Sequence, residues 1–245
     1  SGLVRIPTTE FQQRFCRLDS LNPGGAAFHV RIRLELKGAL DVDALARAVD
    51  RVATRNEILR TTLEQRDDQI WQAIHAELPI DFRFLVSGAL LPNAPHSDAQ
   101  QLADQAILDR EGQEGFSLST GPMFRVRLLQ LEMDRHWLAI TLSHGIVDGW
   151  STGLFLQQLQ EEYERALNGT GKDVDHSTVQ FSVYTKLEQH LLSSSEKDVR
   201  LAWWEKYLSG VWMPLTLPQD RVASVTDASD ARAVMEITHL DAEAV

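Results

Sequence analysis

Residues 28–36 alternate between apolar and polar side chains, and this alternation restricts the fold more than any other stretch of the chain. A period of two residues is the pattern of a β-strand with one buried face. The apolar positions are Phe28, Val30, Ile32, Leu34 and Leu36. Helical spacing follows at 42–54, behind Asp41 as an N-cap, so this strand leads directly into an amphipathic helix.

The rest of the chain mixes the same two patterns. They predict further helices at 11–18, 98–111, 151–167, 178–193 and 196–208, and further strands at 59–63, 69–74, 80–85, 124–128 and 137–142. Several connections have the length of a hairpin, and strands and helices do not alternate strictly. This order is typical of an α+β sandwich, in which helices pack on a sheet.

Charge, cysteine content and hydropathy exclude several classes of protein. The formal net charge is −11 and the Lys and Arg residues are scattered, so nucleic acid is not expected as a partner. Cys16 is the only cysteine, which excludes an intrachain disulfide and a cysteine-based zinc site. No apolar run is long enough to span a bilayer, and no signal peptide is evident, so we predict a cytoplasmic protein that does not bind membranes.

Residues 143–149, with the sequence SHGIVDG, connect the predicted strand 137–142 to the predicted helix 151–167. A turn at the end of a buried strand holds side chains rigidly and leaves them within reach of a ligand. His144 is the one side chain of this loop whose type exchanges protons near neutral pH. We therefore predict an active-site loop around His144. The alternative is a histidine satisfied by the core, with Asp148 serving only as a helix cap.

Residues 149–153 also match G-x-S-x-G, the nucleophile elbow of α/β-hydrolases. In an elbow the serine follows its strand directly, whereas Ser151 stands nine residues after Leu142. The acid and the histidine of a triad would also have to come from the short helical and polar tail. The hydrolase interpretation is therefore disfavoured.

The loop resembles the H-H-x-x-x-D-G motif of condensation domains of nonribosomal peptide synthetases, which share a superfamily with chloramphenicol acetyltransferase. Other stretches resemble motifs of that family in the same order: 54–61 (TRNEILRT), 116–125 (FSLSTGPMFR), 203–208 (WWEKYL) and 217–221 (LPQDR). Two positions depart from the family pattern. Ser143 replaces the first histidine of the loop motif, and Asn56 replaces the histidine of the motif at 54–61.

The resemblance implies a chloramphenicol acetyltransferase-like fold. Residues 1–212 would form its N-terminal lobe, and residues 213–245 a linker and the start of a truncated C-terminal lobe. The implied reaction is amide formation between an acyl thioester on an upstream carrier protein and an amine on a downstream carrier protein, in the biosynthesis of antibiotics and other secondary metabolites. Both substrates would be carried on phosphopantetheine arms, with no metal and no intrinsic cofactor. An adenylation domain is expected nearby, and this half-domain is expected to be inactive alone.

The resemblance also implies roles for three residues of the loop. His144 would accept or steer the proton of the attacking amine, and Asp148 would be a structural carboxylate. The N–H of Gly149, at a helix start, is a candidate donor to the oxyanion. Two alternatives stay open: a stand-alone acyltransferase that uses a coenzyme A thioester, and a non-catalytic or epimerisation-type domain that docks carriers.

Four further residues are predicted to support the site or the core. We hypothesise that Asp148 forms an ion pair with Arg60, since an unpaired buried carboxylate is costly. Ser143 is predicted to be scaffold, and Ser151 to cap the helix. Trp150 is predicted to be a core residue rather than a contact to the substrate.

Overall fold

A computed structural model of the chain describes residues 2–90, 98–169 and 179–210. The chain divides into two compact units, Ser1–Asp198 and Val199–Val245. The predicted site lies in the first unit. The predicted domain boundary between 212 and 213 and the motif at 217–221 lie outside the described residues. In the second unit, the rings of Trp203 and Tyr207 stack with centroids 5.1 Å apart.

Seven strands form two sheets in the described part of the chain. The strands are β1 (Val4–Pro7), β2 (His29–Lys37), β3 (Thr61–Arg66), β4 (Gln69–Ile74), β5 (Asp81–Val86), β6 (Phe124–Glu132) and β7 (Arg135–Ser143). The smaller sheet has the order β1-β4-β3 and the larger one β2-β7-β6-β5. In the larger sheet β5 and β6 run parallel, and the other neighbours are antiparallel. β7 is therefore an interior strand, held on both sides along its length.

Six α-helices accompany the strands in the described ranges. They are α1 (Glu10–Asp19), α2 (Val42–Arg55), α3 (Asp98–Gln113), α4 (Gly149–Leu167), α5 (Phe181–Ser193) and α6 (Ser195–Tyr207). Thr9 and Gln12 form a capping box at the start of α1, and the side chain of Asp41 caps α2. None of these helices is long and apolar enough to cross a membrane.

The inner strands β6 and β7 of the larger sheet are mostly buried on both faces. Val49 of α2 and Phe155 of α4 belong to the same buried cluster as Ile140, on one face of β7. Trp137, which points to the other face of β7 because side chains alternate along a strand, packs with Leu108 of α3. The predicted α+β class is confirmed, with helices on both faces of the larger sheet.

Two sequence-based expectations about local structure need correction. The predicted strand 59–63 begins only at Thr61, because Glu57–Arg60 forms a 3₁₀ helix. The Thr61 hydroxyl stabilises the end of this 3₁₀ helix by donating to the carbonyl of Glu57 over 2.7 Å. The helical spacing of Phe11 and Phe15 in the predicted helix 11–18 implies that both are buried, but Phe15 is 4% exposed and Phe11 is 53% exposed.

Candidate active site

The start of the loop after β7 is fixed by β7 itself and by hydrogen bonds next to its neighbours β2 and β6. Ser143, the last residue of β7, lies opposite His29 in β2. Its N–H donates to the carbonyl of Met123, just before β6, over 2.9 Å. The N–H of His144 donates to the carbonyl of Phe28 over 2.8 Å. The backbone that carries His144 is therefore tied to both neighbouring strands before the chain leaves the sheet.

A tight turn follows, and Ser143 stabilises it. Its hydroxyl accepts the N–H of Gly145 at 3.3 Å, and its carbonyl accepts the N–H of Ile146 at 3.1 Å. Ile146 and Val147 are buried in the main core cluster. Ser143 therefore occupies a structural position in the turn, and the loop is anchored by apolar side chains on the far side of His144.

The imidazole of His144 is held by packing rather than by hydrogen bonds. Its ring centroid lies 5.7 Å from that of Phe11 in α1, with the two planes at 49°. Its Nδ1 is buried and has no hydrogen-bond partner among the described residues. The other ring nitrogen, Nε2, makes no hydrogen bond to the described residues and is not buried, so it is accessible. Nε2 is thus the atom that His144 offers to a ligand.

Asp148 is the N-cap of α4, and Ser151 completes a capping box with it. The Asp148 carboxylate accepts the N–H of Ser151 at 2.8 Å, and the Ser151 hydroxyl accepts the N–H of Asp148 at 2.7 Å. The hydrogen bonds from the N–H and the hydroxyl of Ser151 lower the pKa of the Asp148 carboxyl. Asp148 is exposed, so it needs no buried counter-ion.

The predicted ion pair between Arg60 and Asp148 is wrong for this structure. The Arg60 guanidinium donates instead to backbone carbonyls at two element ends. It binds Ala53 and Thr54 in the last turn of α2, and His75 and Ala76 after β4. Cations are favourable near a helix C-terminus because the last carbonyls are unpaired. Arg60 therefore joins the end of α2 to the end of β4.

Gly149 and Trp150 form the exposed first turn of α4. The N–H of Gly149 has no acceptor within the described residues, as expected for the first residue of a helix. Its predicted role as a donor to the oxyanion stays a prediction. Trp150 is 83% exposed, so the prediction that it belongs to the core is wrong for this part of the chain.

The structure does not support the nucleophile-elbow interpretation of residues 149–153. Ser151 lies in the first turn of α4 and not on a sharp strand-to-helix turn. Its hydroxyl also donates to the Asp148 carboxylate over 2.7 Å. A hydroxyl engaged in a helix cap is not presented as a nucleophile.

Two other motif residues hold the fold together. Arg125 is 4% exposed, donates to the carbonyls of Glu111 and Gly115, and lies 4.1 Å from the ring centroid of Phe116. Asn56, at the second departure from the family pattern, donates to the carboxamide of Gln158 in α4 over 2.6 Å. Its amide therefore replaces an imidazole at a contact between helices.

Sequence reasoning missed the contribution of α1 to this site. Gln12 donates to the carbonyl of Gly145 over 3.3 Å, and Phe15 packs against Gly145. The T-x-x-Q spacing of Thr9 and Gln12 signals a capping box, but nothing in it indicates a contact with a loop 133 residues away. A cavity of about 840 Å³, lined by the other side of α1 and by β3 and β4, includes no residue of the loop.

The sequence of the chain resembles those of known proteins over most of its length. A sequence profile of the condensation domain matches residues 4–244. The chain is 32% identical over 217 residues to phosphinothricin tripeptide synthetase PhsB of Streptomyces viridochromogenes, and the match covers 88% of this chain and 18% of that protein. The chain thus spans a small part of the length of this synthetase.

Solved structures of condensation-type domains share the fold. The X-domain from teicoplanin biosynthesis, solved in complex with OxyB, matches with a TM-score of 0.74 and 28% identity, over 89% of this chain and 46% of that one. The starter condensation domain of rhizomide synthetase RzmA matches with a TM-score of 0.75 and 18% identity, over 86% of this chain and 49% of that one.

The predicted chloramphenicol acetyltransferase-like fold is confirmed by these structures, of which the chain spans about half. Condensation domains are amide-forming enzymes of the acyltransferase type, and those of nonribosomal peptide synthetases work with carrier domains that bear phosphopantetheine. With the profile match and the PhsB relative, these findings show that the chain belongs to the condensation domain family of nonribosomal peptide synthetases.

Proposed function

We propose that this chain is the N-terminal half of a condensation domain that joins an acyl thioester on an upstream carrier to an amine on a downstream carrier. The observation that carries the proposal is the position of His144. Its Nε2 is accessible at the end of a rigid interior strand, and the unpaired N–H of Gly149 lies at the start of the helix that follows. Membership of the condensation domain family supports the reaction class.

The reaction needs orientation and charge stabilisation more than a strong base, because a thioester is already activated. The amine nitrogen attacks the carbonyl carbon, the C–N bond forms, and negative charge develops on the carbonyl oxygen. The C–S bond then breaks, and the phosphopantetheine thiol leaves with the proton that the amine loses. Holding both groups in place and binding the oxyanion lower this barrier.

The two ring nitrogens of His144 differ in access, because Nδ1 is buried without a partner among the described residues and Nε2 is not buried. An imidazole that carries its proton on Nε2 presents an N–H to the ligand. We assign His144 the role of a donor that binds the developing oxyanion and orients the substrates.

Gly149 supplies the second donor in this proposal. As the first residue of α4 its N–H is unpaired, and the helix dipole favours negative charge at that end. Asp148 acts on the site through the cap, since it sets where α4 begins. Both carriers, a C-terminal lobe and a neighbouring adenylation domain complete the proposed machinery.

A single-turnover assay tests the proposal. A protein extended to both lobes is mixed with one acyl-loaded and one aminoacyl-loaded carrier, and acyl transfer is followed by intact-protein mass spectrometry. We expect His144→Ala to abolish transfer, while His144→Gln, whose amide places a donor near the position of Nε2, retains more activity. His190→Gln, an exposed change on α5, is the control and should transfer like the wild type.

Equal loss in the alanine and glutamine variants would refute the donor role of His144. Full transfer by His144→Ala would refute its catalytic role altogether. Transfer from a coenzyme A thioester to a free amine or alcohol, without any transfer between carriers, would favour the stand-alone acyltransferase. The half-domain alone is expected to be inactive, and turnover comparable to that of the two-lobe protein would contradict this.

A second candidate function is docking without catalysis. The 28% identity to the X-domain, which is described in complex with OxyB, favours this candidate, as does the serine at position 143. A docking domain would bind its partner with undiminished affinity in the His144→Ala variant and would show no acyl transfer in the wild type. The assay above distinguishes the two functions.

A further inference from the structure

Helix α1 contacts the active-site loop through three side chains on one side of the helix. Phe11 lies against the ring of His144, with the ring centroids 5.7 Å apart. Gln12 donates to the carbonyl of Gly145 over 3.3 Å. A Cβ on Gly145 would lie 2.7 Å from the Cε1 of Phe15. These three side chains of α1 therefore surround the His144–Gly145 peptide.

The carboxamide of Gln12 is completely buried and fully used. Besides the Gly145 carbonyl, its Nε2 binds the Oε1 of Gln72 at 3.4 Å, and its Oε1 accepts the N–H of Thr9 at 3.2 Å. A buried amide keeps its orientation when each of its polar atoms has a partner. Both bonds from Nε2 are long, so the orientation depends on the whole network more than on either contact.

The network continues away from the loop. Gln72, which is 1% exposed, donates to the carbonyl of Pro7 and to the hydroxyl of Thr185 in α5, each over 3.0 Å. Thr185 has no exposed surface, and its hydroxyl binds Gln72 and the carbonyl of Phe181 but no residue of the loop. It therefore belongs to the same buried network as Gln12 but lies at its opposite end.

His144 depends on its backbone for its position. The described residues provide no hydrogen bond to its imidazole, and its Nδ1 is buried without a partner. The peptide before it is tied to Phe28, at 2.8 Å, and the carbonyl of the next residue is tied to Gln12. Phe15 closes the remaining space beside Gly145. A change at Gln12 would remove the hydrogen bond that joins the backbone of the loop to α1.

We propose that α1 positions His144 for condensation and that Gln12 is a positioning residue, acting through the carbonyl of Gly145. This inference rests on the proposed catalytic role of His144. Gln12 does not touch the substrate in this assignment. Its effect appears in the rate of the chemical step, because a displacement of a catalytic group by about 1 Å can cost about a hundredfold in rate.

The test compares Gln12→Met with Thr185→Val. Each change removes one buried hydrogen-bonding group from the network of Gln12, Gln72 and Thr185, and each should lower the melting temperature. Only Gln12→Met removes the tie to the loop. We expect it to shift the imidazole resonances of His144 in histidine-labelled protein and to lower kcat of the two-lobe protein by about tenfold or more, with KM for both carriers nearly unchanged. Thr185→Val should leave kcat and the His144 resonances as in the wild type.

Gly145→Ala provides a second variant if Gln12→Met does not fold. Its methyl group would meet the ring of Phe15, so either the ring or the loop must move. The expected result is again a shifted His144 resonance and a lower kcat. A lower melting temperature with unchanged His144 resonances and unchanged kcat, in whichever of these variants folds, would overturn the proposal.

The imidazole resonances of His144 and the value of kcat together separate this inference from the proposed function. If His144→Ala retains full activity, the catalytic role of His144 fails, whereas a shifted imidazole resonance in Gln12→Met would still establish that α1 positions the ring. If His144→Ala is inactive and Gln12→Met matches Thr185→Val in resonance and in rate, the positioning role of Gln12 fails by itself.

Discussion

Asp148 and Ser151 bind each other reciprocally at the start of α4. The carboxylate of Asp148 accepts the N–H of Ser151 at 2.8 Å, and the hydroxyl of Ser151 accepts the N–H of Asp148 at 2.7 Å. Two backbone donors that the helix leaves unpaired are satisfied in this way. The helix whose first N–H is proposed to bind the oxyanion therefore begins at a defined residue.

The first prediction concerns this cap. Asp148→Ala should lower the free energy of unfolding of the chain by about 1 kcal/mol, because the N–H of Ser151 loses its acceptor. Asp148→Asn should lower the free energy of unfolding by only a few tenths of about 1 kcal/mol, since asparagine caps helices about as well as aspartate. Urea denaturation at neutral pH measures both. An asparagine variant as unstable as the alanine variant would mean that Asp148 needs its charge, as in a buried ion pair.

A second prediction separates Arg60 from Asp148. Arg60→Ala should destabilise the chain by about 2–3 kcal/mol, because a charged donor to four carbonyls is lost. Arg60→Lys should recover only part of this, since lysine lacks the planar fork. The double variant with Asp148→Ala should be additive within about 0.5 kcal/mol. A larger coupling energy in this double-mutant cycle would restore the ion-pair hypothesis.

The third prediction is a pH dependence at Asp81. Burial alone would raise the pKa of the Asp81 carboxyl, but the hydrogen bond and charge of Arg127 outweigh it, and the pKa lies below its ordinary value of 3.8. Arg127 binds this carboxylate at 2.8 Å and is 1% exposed. Because the folded-state pKa is the lower one, the stabilisation is complete above the unfolded pKa and is lost as the pH falls through the folded pKa.

Asp81→Asn should therefore be less stable than the wild type at pH 7, and the difference should shrink as the pH falls below about 4. Urea denaturation across that range measures the difference. Asp109→Asn breaks a more exposed ion pair with Arg33 and should change the unfolding free energy by less than about 1 kcal/mol at either pH. A difference for Asp81→Asn that grows towards low pH would contradict the sign of the shift.

The fourth prediction concerns Cys16. Burial, with a smaller contribution from the charge of Asp19, raises the pKa of its thiol to about 12. At pH 8 the thiolate fraction is then about 10⁻⁴, against roughly a quarter for an unperturbed cysteine. Ellman's reagent should react about a thousandfold more slowly with the folded chain than with the chain in guanidinium. The double variant Cys16→Ala/Ser20→Cys, with an exposed thiol, should react fast in both conditions.

Much of the fold could be predicted because its signals are local. The alternation at 28–36 and the spacing at 42–54 predicted β2 and α2 to within one or two residues. Asp67 and Asp68, which connect β3 to β4, have φ values of +48° and +62°, which suits a two-residue hairpin connection. The predicted strand at 59–63 starts only at Thr61, because residues 57–60 form a 3₁₀ helix, which the apolar spacing does not indicate.

The sequence by itself determined which residues are candidates for the site. The loop SHGIVDG, placed between a strand and a helix, indicated His144, Asp148 and Gly149 as candidates and carried the resemblance to condensation domains, since turn and cap chemistry are local properties of the chain. Tertiary structure decided what each residue contacts. It paired Asp148 with Ser151, moved Arg60 to the end of α2 and exposed Trp150. It also brought Gln12 of α1 to Gly145, a contact set by how the helices pack on the sheet and not by spacing along the chain.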